Sequence, residues 1–244
     1  MAGSGFFRFS SPASFFPLAG RLVPVFGWLA VLLTVVGLYI GFLVAPTDFQ
    51  QGESYRIIFI HVPAAWMAMF TYLVIAGWSA ASLVWNTRLS AMMAQALVPT
   101  GAMFAFISLW SGAFWGRPTW GTYWVWDARL TSTLILLFLY IGLMALRSAI
   151  EDPRRADRAC AVLALVGSVN VPIIYFSVQW WNTLHQGASV SLTAAPTMAA
   201  TMLAGMLVMS VAAWAYTISA ALHRVRSIIL EREAHARWTR EVAR

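Results

Sequence analysis

Apolar residues run along this chain in long blocks separated by short polar segments. Five stretches carry no charged residue: Leu22–Thr47, Ile57–Thr87, Leu89–Gly116, Leu130–Leu146 and Ala159–Leu222. A helix crosses the hydrocarbon core of a bilayer in about 20 residues, so the first four supply one crossing each. The fifth would extend about 96 Å as one helix at ~1.5 Å per residue, too far for a single crossing. Gln179, Asn182, Gln186, Gly187, Ser189 and Ser191 cluster near its middle, as a turn between two helices would. The pattern predicts six spans, at residues 22–45, 57–84, 92–114, 130–147, 160–180 and 197–222. The expected fold class is all-α, a polytopic membrane protein with six transmembrane helices.

Composition agrees with that class. Hydrophobic residues make up 60% of the chain and charged ones 10%, against about 25% charged in soluble domains. One integral membrane domain over residues 1–244 is expected, with no separate soluble domain and no internal repeat. Met1–Gly20 lacks the charged start and short apolar core of a cleavable signal, so the first span reads as a full-length anchor. No phosphate-binding loop is present, so any energy from ATP has to come from a partner.

Charge placement gives an orientation. All sixteen cationic side chains are arginines. Six spans put both termini on one side, and that side collects thirteen of them: Arg8, Arg21, Arg88, Arg147, Arg154, Arg155, Arg158, Arg224, Arg226, Arg232, Arg237, Arg240 and Arg244. The other side has Arg56, Arg117 and Arg129. Cytoplasmic loops hold the excess of cations, so both termini are expected in the cytoplasm. Residues 223–244 then form a cytoplasmic tail with alternating charge, read as a helical extension. The net charge of +7 reflects this bias. Dispersed over short loops among acids, it does not describe a nucleic-acid surface.

Chemistry concentrates on the opposite face. Residues 115–132 read WGRPTWGTYWVWDARLTS and form the expected external tryptophan-rich loop. An interfacial belt accounts for one or two tryptophans at a boundary. A contiguous run with charges inside it is better matched by a platform for a flat, largely apolar, anionic ligand. His61 and His185 fall on the same face, whereas His223 and His235 lie among the cytoplasmic arginines. Each external histidine taken alone is an ordinary interfacial or loop residue. Together, beside Trp115, Trp120, Trp124 and Trp126, they are what bis-histidine ligation of a haem requires. The porphyrin takes aromatic contacts on its faces. Its propionates take guanidinium groups, for which Arg117 and Arg129 are the nearest candidates and Arg56 a third. Their alternative is an ion pair with Asp127, Asp48 or Glu53.

These residues carry a resemblance. WGTYWVWDARLTS, with Trp120, Gly121, Trp124, Trp126, Asp127, Arg129, Leu130 and Thr131 in order, resembles the signature of the WWD family of haem-handling membrane proteins. His61 in HVPAAW and His185 in WNTLHQG resemble that family's flanking external histidines. The short length and six spans resemble its CcmC-type branch rather than the longer haem lyases. The resemblance implies that haem b is held at the outer face of the bacterial inner membrane by His61 and His185. It implies presentation to a CcmE-like periplasmic haem chaperone for covalent attachment, in cytochrome c maturation. It further implies a CcmA/CcmB ABC transporter and CcmD as partners, with the ATPase releasing the loaded chaperone. Asp127 would orient the loop or the partner. This describes a haem transfer factor rather than a conventional enzyme.

Two other classes compete. A transmembrane electron-transfer cytochrome needs histidine pairs near both faces, and the inner halves of the spans offer none. A haem-transporting permease subunit suits six spans, but the predicted spans contain no charged residue short of Arg147 at the very end of the fourth to mark a pathway. The remaining features are structural. Cys160 is single and reads as a small buried hydrophobe. Gly37 and Gly41 have GxxxG spacing, which permits close helix packing. Pro63, two residues after His61, is placed to fix how its helix presents the imidazole.

Overall fold

The structure is a computed structural model that describes residues 10–185, 187, 190 and 195–242, the side chains of 240–242 excepted. It contains six helices long and apolar enough to cross a membrane. Helix α1 is Pro12–Tyr39, continued by a π-helical turn at Ile40–Val44. A 3₁₀ turn at Glu53–Ile57 leads into α2, Ile58–Trp85. Then come α3 (Arg88–Trp120) and α4 (Ala128–Ala149). The fifth crossing is split into α5 (Pro153–Gly167) and α6 (Asn170–Trp180). Helix α7 is Ala200–Arg232, and the short α8 is Arg237–Val242. Gln186, Ser189 and Ser191 of the expected turn, and Arg8 and Arg244, lie outside the described residues.

The expected architecture is therefore present, with three differences in extent. The first helix starts at Pro12 rather than at residue 22, with Ser11 as its N-cap. The third helix does not stop at residue 114. It runs on to Trp120, so Trp115, Arg117 and Trp120 stand on a helix and the loop proper is 121–127. Gly121 ends it at φ +80°, a left-handed conformation that suits glycine at a helix C-terminus. The fifth span is broken at Ser168–Val169. Pro172 falls in the first turn of α6, where a missing N–H costs nothing, and where it cannot extend the hydrogen-bonding of α5. The last helix continues past Leu222 to Arg232, in line with the helical extension read from the sequence, after which the chain turns and lays Trp238 edge-on against Phe16 at 5.8 Å between ring centroids.

Close helix approach explains the packing order. Helix α1 lies along α7, and α2 along α3. A Cβ at Gly37 would stand 2.7 Å from Met209 of α7, and one at Gly41 would stand 2.5 Å from the Phe59 ring of α2. The two glycines thus admit two different helices, so the GxxxG spacing does not mark a single dimer seam. The central core joins Met67, Tyr72 and Ile75 of α2, Leu97 and Phe104 of α3, Leu136 and Tyr140 of α4, and Ile174 of α6. Buried Tyr140 donates its hydroxyl to the Ala68 carbonyl at 2.7 Å. Trp28, Leu43, Val84 and Trp85 point outward, as lipid-facing residues of a bundle do. Cys160 is half-buried, with Sγ 3.7 Å from the Leu143 carbonyl.

Side-chain contacts define the two ends of the bundle. At one, Arg232 makes a paired contact with Asp157 at 2.7 and 2.8 Å and a bond to Gln95 at 2.6 Å, and Arg88 pairs with Glu233 at 3.0 Å. This end gathers the arginine-rich connections. At the other end stand His61, His185 and the tryptophan segment.

Candidate functional site

Five parts of the chain meet at the histidine-bearing end around one pocket. Helix α2 contributes His61; α3 contributes Ser108, Gly112, Trp115, Thr119 and Trp120; α4 contributes Arg129 and Thr133; α6 contributes Ile174; and the segment after α6 contributes His185. The two imidazole rings lie with their centroids 6.3 Å apart and their planes 35° from parallel. A metal–imidazole bond of about 2.0–2.1 Å, plus roughly 1 Å from nitrogen to ring centroid, separates two end-on imidazoles sharing one ion by about 6 Å. The observed spacing is of that size.

His61 is held from behind. It is 9% exposed, and its Nδ1 lies 3.1 Å from Ser111 Oγ. The Ser111 hydroxyl directs its one hydrogen to the Ile107 carbonyl at 2.6 Å, in the previous helical turn. Its oxygen is then left to accept, so Nδ1 carries the imidazole proton and Nε2 keeps a free lone pair. A metal-ligating histidine is oriented in this way by a partner on its other nitrogen. Gly112 supplies the space: a Cβ there would stand 2.9 Å from His61 Cε1. Trp115 meets the His61 ring edge-on at 5.5 Å and is fixed by donating its indole N–H to Gln51 Oε1 at 2.6 Å. Trp120 lies 6.2 Å from the His185 ring.

The three candidate arginines separate. Arg129 lines the pocket and donates to the Ile174 carbonyl at 2.7 Å. With the Asn170 side chain bonded to the Ser132 carbonyl at 2.9 Å, it ties the half-helix α6 to α4. Arg117 is exposed, bonds the Gly121 carbonyl and lies over Tyr123 at 5.7 Å. Arg56 pairs with Glu53 and reaches the carbonyls of Gly41 and Ala45, closing the C-terminal end of the first span. Neither Arg117 nor Arg56 lines the histidine pocket.

The tryptophans separate as well. Trp115 and Trp120 line the pocket, whereas Trp124 and Trp126 do not. Trp126 is 77% exposed and meets Trp124 edge-on at 5.3 Å. Asp127 is the N-cap of α4, accepting from the Leu130 N–H at 2.8 Å. Among the described residues it forms no ion pair with Arg129 or Arg117. Its second carboxylate oxygen and the Trp124 indole N–H are buried without a hydrogen-bond partner. Trp126 and Asp127 instead line a neighbouring cleft of about 250 Å³ with Asn182, Thr183 and Leu184. His223 and His235 are exposed at the arginine-rich end.

Ser111, Gly112 and Gln51 were not singled out by sequence reasoning. Ser111 and Gly112 left one signal, a small pair inside the bulky run LWSGAFW. Gln51 left none, because its role depends on a loop meeting α3.

The heme exporter protein C family matches residues 5–240. The chain belongs to that family. It is 47% identical over 227 residues to heme exporter protein C of Bradyrhizobium diazoefficiens, covering 93% of this chain and 86% of that protein. It is 43% identical over 235 residues to heme exporter protein C of Escherichia coli K12, covering 95% and 93%. A putative cytochrome c biosynthesis ccmC-like mitochondrial protein of Marchantia polymorpha is 46% identical over 159 residues, 65% of this chain and 67% of that one.

Proposed function

We propose that this member of the heme exporter protein C family, acting in cytochrome c biogenesis, holds haem b between His61 and His185 at the periplasmic face of the inner membrane. It then presents the haem to a CcmE-like chaperone. The observation that carries the reading is the convergence of those two imidazoles across a pocket that also contains Arg129, Trp115 and Trp120. Nε2 of His61 is the ligating atom, and Ser111 holds the ring in the required tautomer. Arg129 is the propionate partner of choice, and Trp115 and Trp120 bear on the porphyrin. Arg117 and Arg56 are assigned to loop and helix-end contacts.

The enclosed space is only about 60 Å³, far less than a porphyrin. Haem would therefore lie across the mouth, with one edge outside. An exposed edge suits hand-over, where the contribution of the chain is proximity and orientation. Trp126, Asp127 and the neighbouring cleft lie beside that mouth and are proposed to meet the chaperone. The CcmA/CcmB transporter and CcmD are the proposed further partners, and ATP hydrolysis belongs to that transporter.

Orientation is tested with reporter fusions after Ser189 and after Arg244. A reporter active only in the periplasm is expected to work after Ser189 and stay silent after Arg244. Activity after Arg244 would put the histidine pocket in the cytoplasm and remove a periplasmic chaperone as partner.

Ser111 gives a second test. Ser111→Ala removes the hydroxyl that faces the buried Nδ1, and losing such an outer partner weakens metal binding about 10- to 100-fold. Haem titration of the purified protein should show that loss, and Ser111→Thr should restore binding. Wild-type affinity in Ser111→Ala would remove the hydroxyl from the account.

A further inference from the structure

A second cavity, of about 340 Å³, lies at the arginine-rich end, walled by α2, α3, α4, α5 and α7. Its polar wall holds Arg147, Arg224, Asp157 and Gln95, and its deeper wall is apolar, with Ile75, Val98 and Leu143. Asp157 is the one carboxylate lining it, and both its oxygens are taken by Arg232. Among the described residues Arg224 bonds only neutral oxygens, the Thr100 hydroxyl and the Ala96 carbonyl. Arg147 makes no ion pair among the described residues. Two guanidinium groups thus line one cavity without an anionic partner.

Depth matters to what this cavity can hold. Arg147 stands in the last turn of α4, at the level where lipid headgroups meet water. Arg224 lies about two turns inward from Arg232, and Ile75 lies about 15 Å inward from the end of α2 at Trp85, at ~1.5 Å per residue. The Arg224 guanidinium reaches the Ala96 carbonyl and the Thr100 hydroxyl, on either side of Val98, so the cavity runs from Arg147 at its outer end to a second cation set beside the apolar wall of Ile75, Val98 and Leu143. A small free anion would satisfy the arginines and leave the apolar wall uncovered. An apolar molecule would cover that wall and leave two cations unpaired.

We propose that this cavity binds an anionic phospholipid, its phosphate held by Arg147 and Arg224 and the start of an acyl chain seated against Ile75, Val98 and Leu143. Guanidinium is well matched to phosphate, and basic pockets between membrane helices on the arginine-rich side suit such headgroups. Gln95 and Ser79, both on the wall, offer hydrogen bonds to the remaining headgroup oxygens. This site is separate from the histidine pocket and does not depend on what that pocket binds.

The test uses the full-length chain purified in detergent, with retained lipid counted by native mass spectrometry after addition of phosphatidylglycerol or phosphatidylcholine. Phosphatidylglycerol is expected to be retained preferentially. R147Q and R224Q should each reduce that preference roughly five- to tenfold, while R154Q, at an exposed arginine of the same end, should leave it unchanged. R147Q removes no hydrogen bond or ion pair made among the described residues, so it reports on the ligand rather than on folding. Val98→Phe fills the space at the apolar wall with both arginines kept and should also abolish retention. An unchanged preference in R147Q and R224Q would overturn the proposal. Displacement of the lipid by millimolar inorganic phosphate would overturn it in favour of a free anion. Displacement by protoporphyrin would overturn it in favour of a dicarboxylate porphyrin.

Discussion

Replacing His61 with alanine is expected to lower haem affinity by more than about a hundredfold. Loss of an outer partner of a metal-ligating histidine already costs about 10- to 100-fold, and the ligand itself must cost more. His61 is the buried member of the pair, fixed between Ser111, Gly112 and Trp115, so no neighbouring histidine on α2 or α3 can replace it. His185→Ala is expected to act in the same direction, whereas His223→Ala and His235→Ala should bind as wild type. Haem titration of purified protein reads the effect. Imidazole added to His61→Ala should restore part of the binding, which separates a lost ligand from a misfolded bundle. Wild-type affinity in both single variants would remove the histidines from the site.

The tryptophans should divide into two functional pairs. Trp115 and Trp120 line the pocket, and Trp124 and Trp126 stand beside it. Stacking of a flat π-system on an aromatic side chain is worth about 1–3 kcal/mol, or about five- to 150-fold in affinity. The double variant Trp115→Ala, Trp120→Ala is therefore expected to lose haem. The double variant Trp124→Ala, Trp126→Ala is expected to keep haem and lose transfer to the chaperone. Haem content and chaperone loading, measured on the same preparations, distinguish the two. Equal loss of haem in both doubles would mean that the whole run forms one platform. Full loading by both would mean that it is an interfacial belt.

Six crossings were legible because each is a charge-free run of membrane length, a signal that does not depend on packing. Helix ends were less legible. The stretch Trp115–Trp120 contains Gly116, Arg117 and Pro118 and straddles the end of the charge-free run at Gly116, yet α3 continues through it, since a helix at the interface needs no hydrophobic continuity. The break at Ser168–Val169 was hidden inside an unbroken apolar run, with Pro172 the one mark of it. In the site, residue types were readable and contacts were not. The sequence offered four tryptophans and three arginines on one face. Only the packing of α3 against α2 and α4 separates Trp115, Trp120 and Arg129 from the rest. Arg56 was drawn away by the open carbonyls at the end of the first span. Asp127 became a helix cap, a role its place before Ala128–Ala149 could have suggested.

Near-infrared magnetic circular dichroism of the ferric haem-loaded protein identifies the two axial ligands directly. Ligation by His61 and His185 predicts a bis-imidazole signature in the wild type, lost in His61→Ala and in His185→Ala and retained in His223→Ala. A histidine–methionine signature in the wild type, or a bis-imidazole signature that survives either of the first two substitutions, would contradict it.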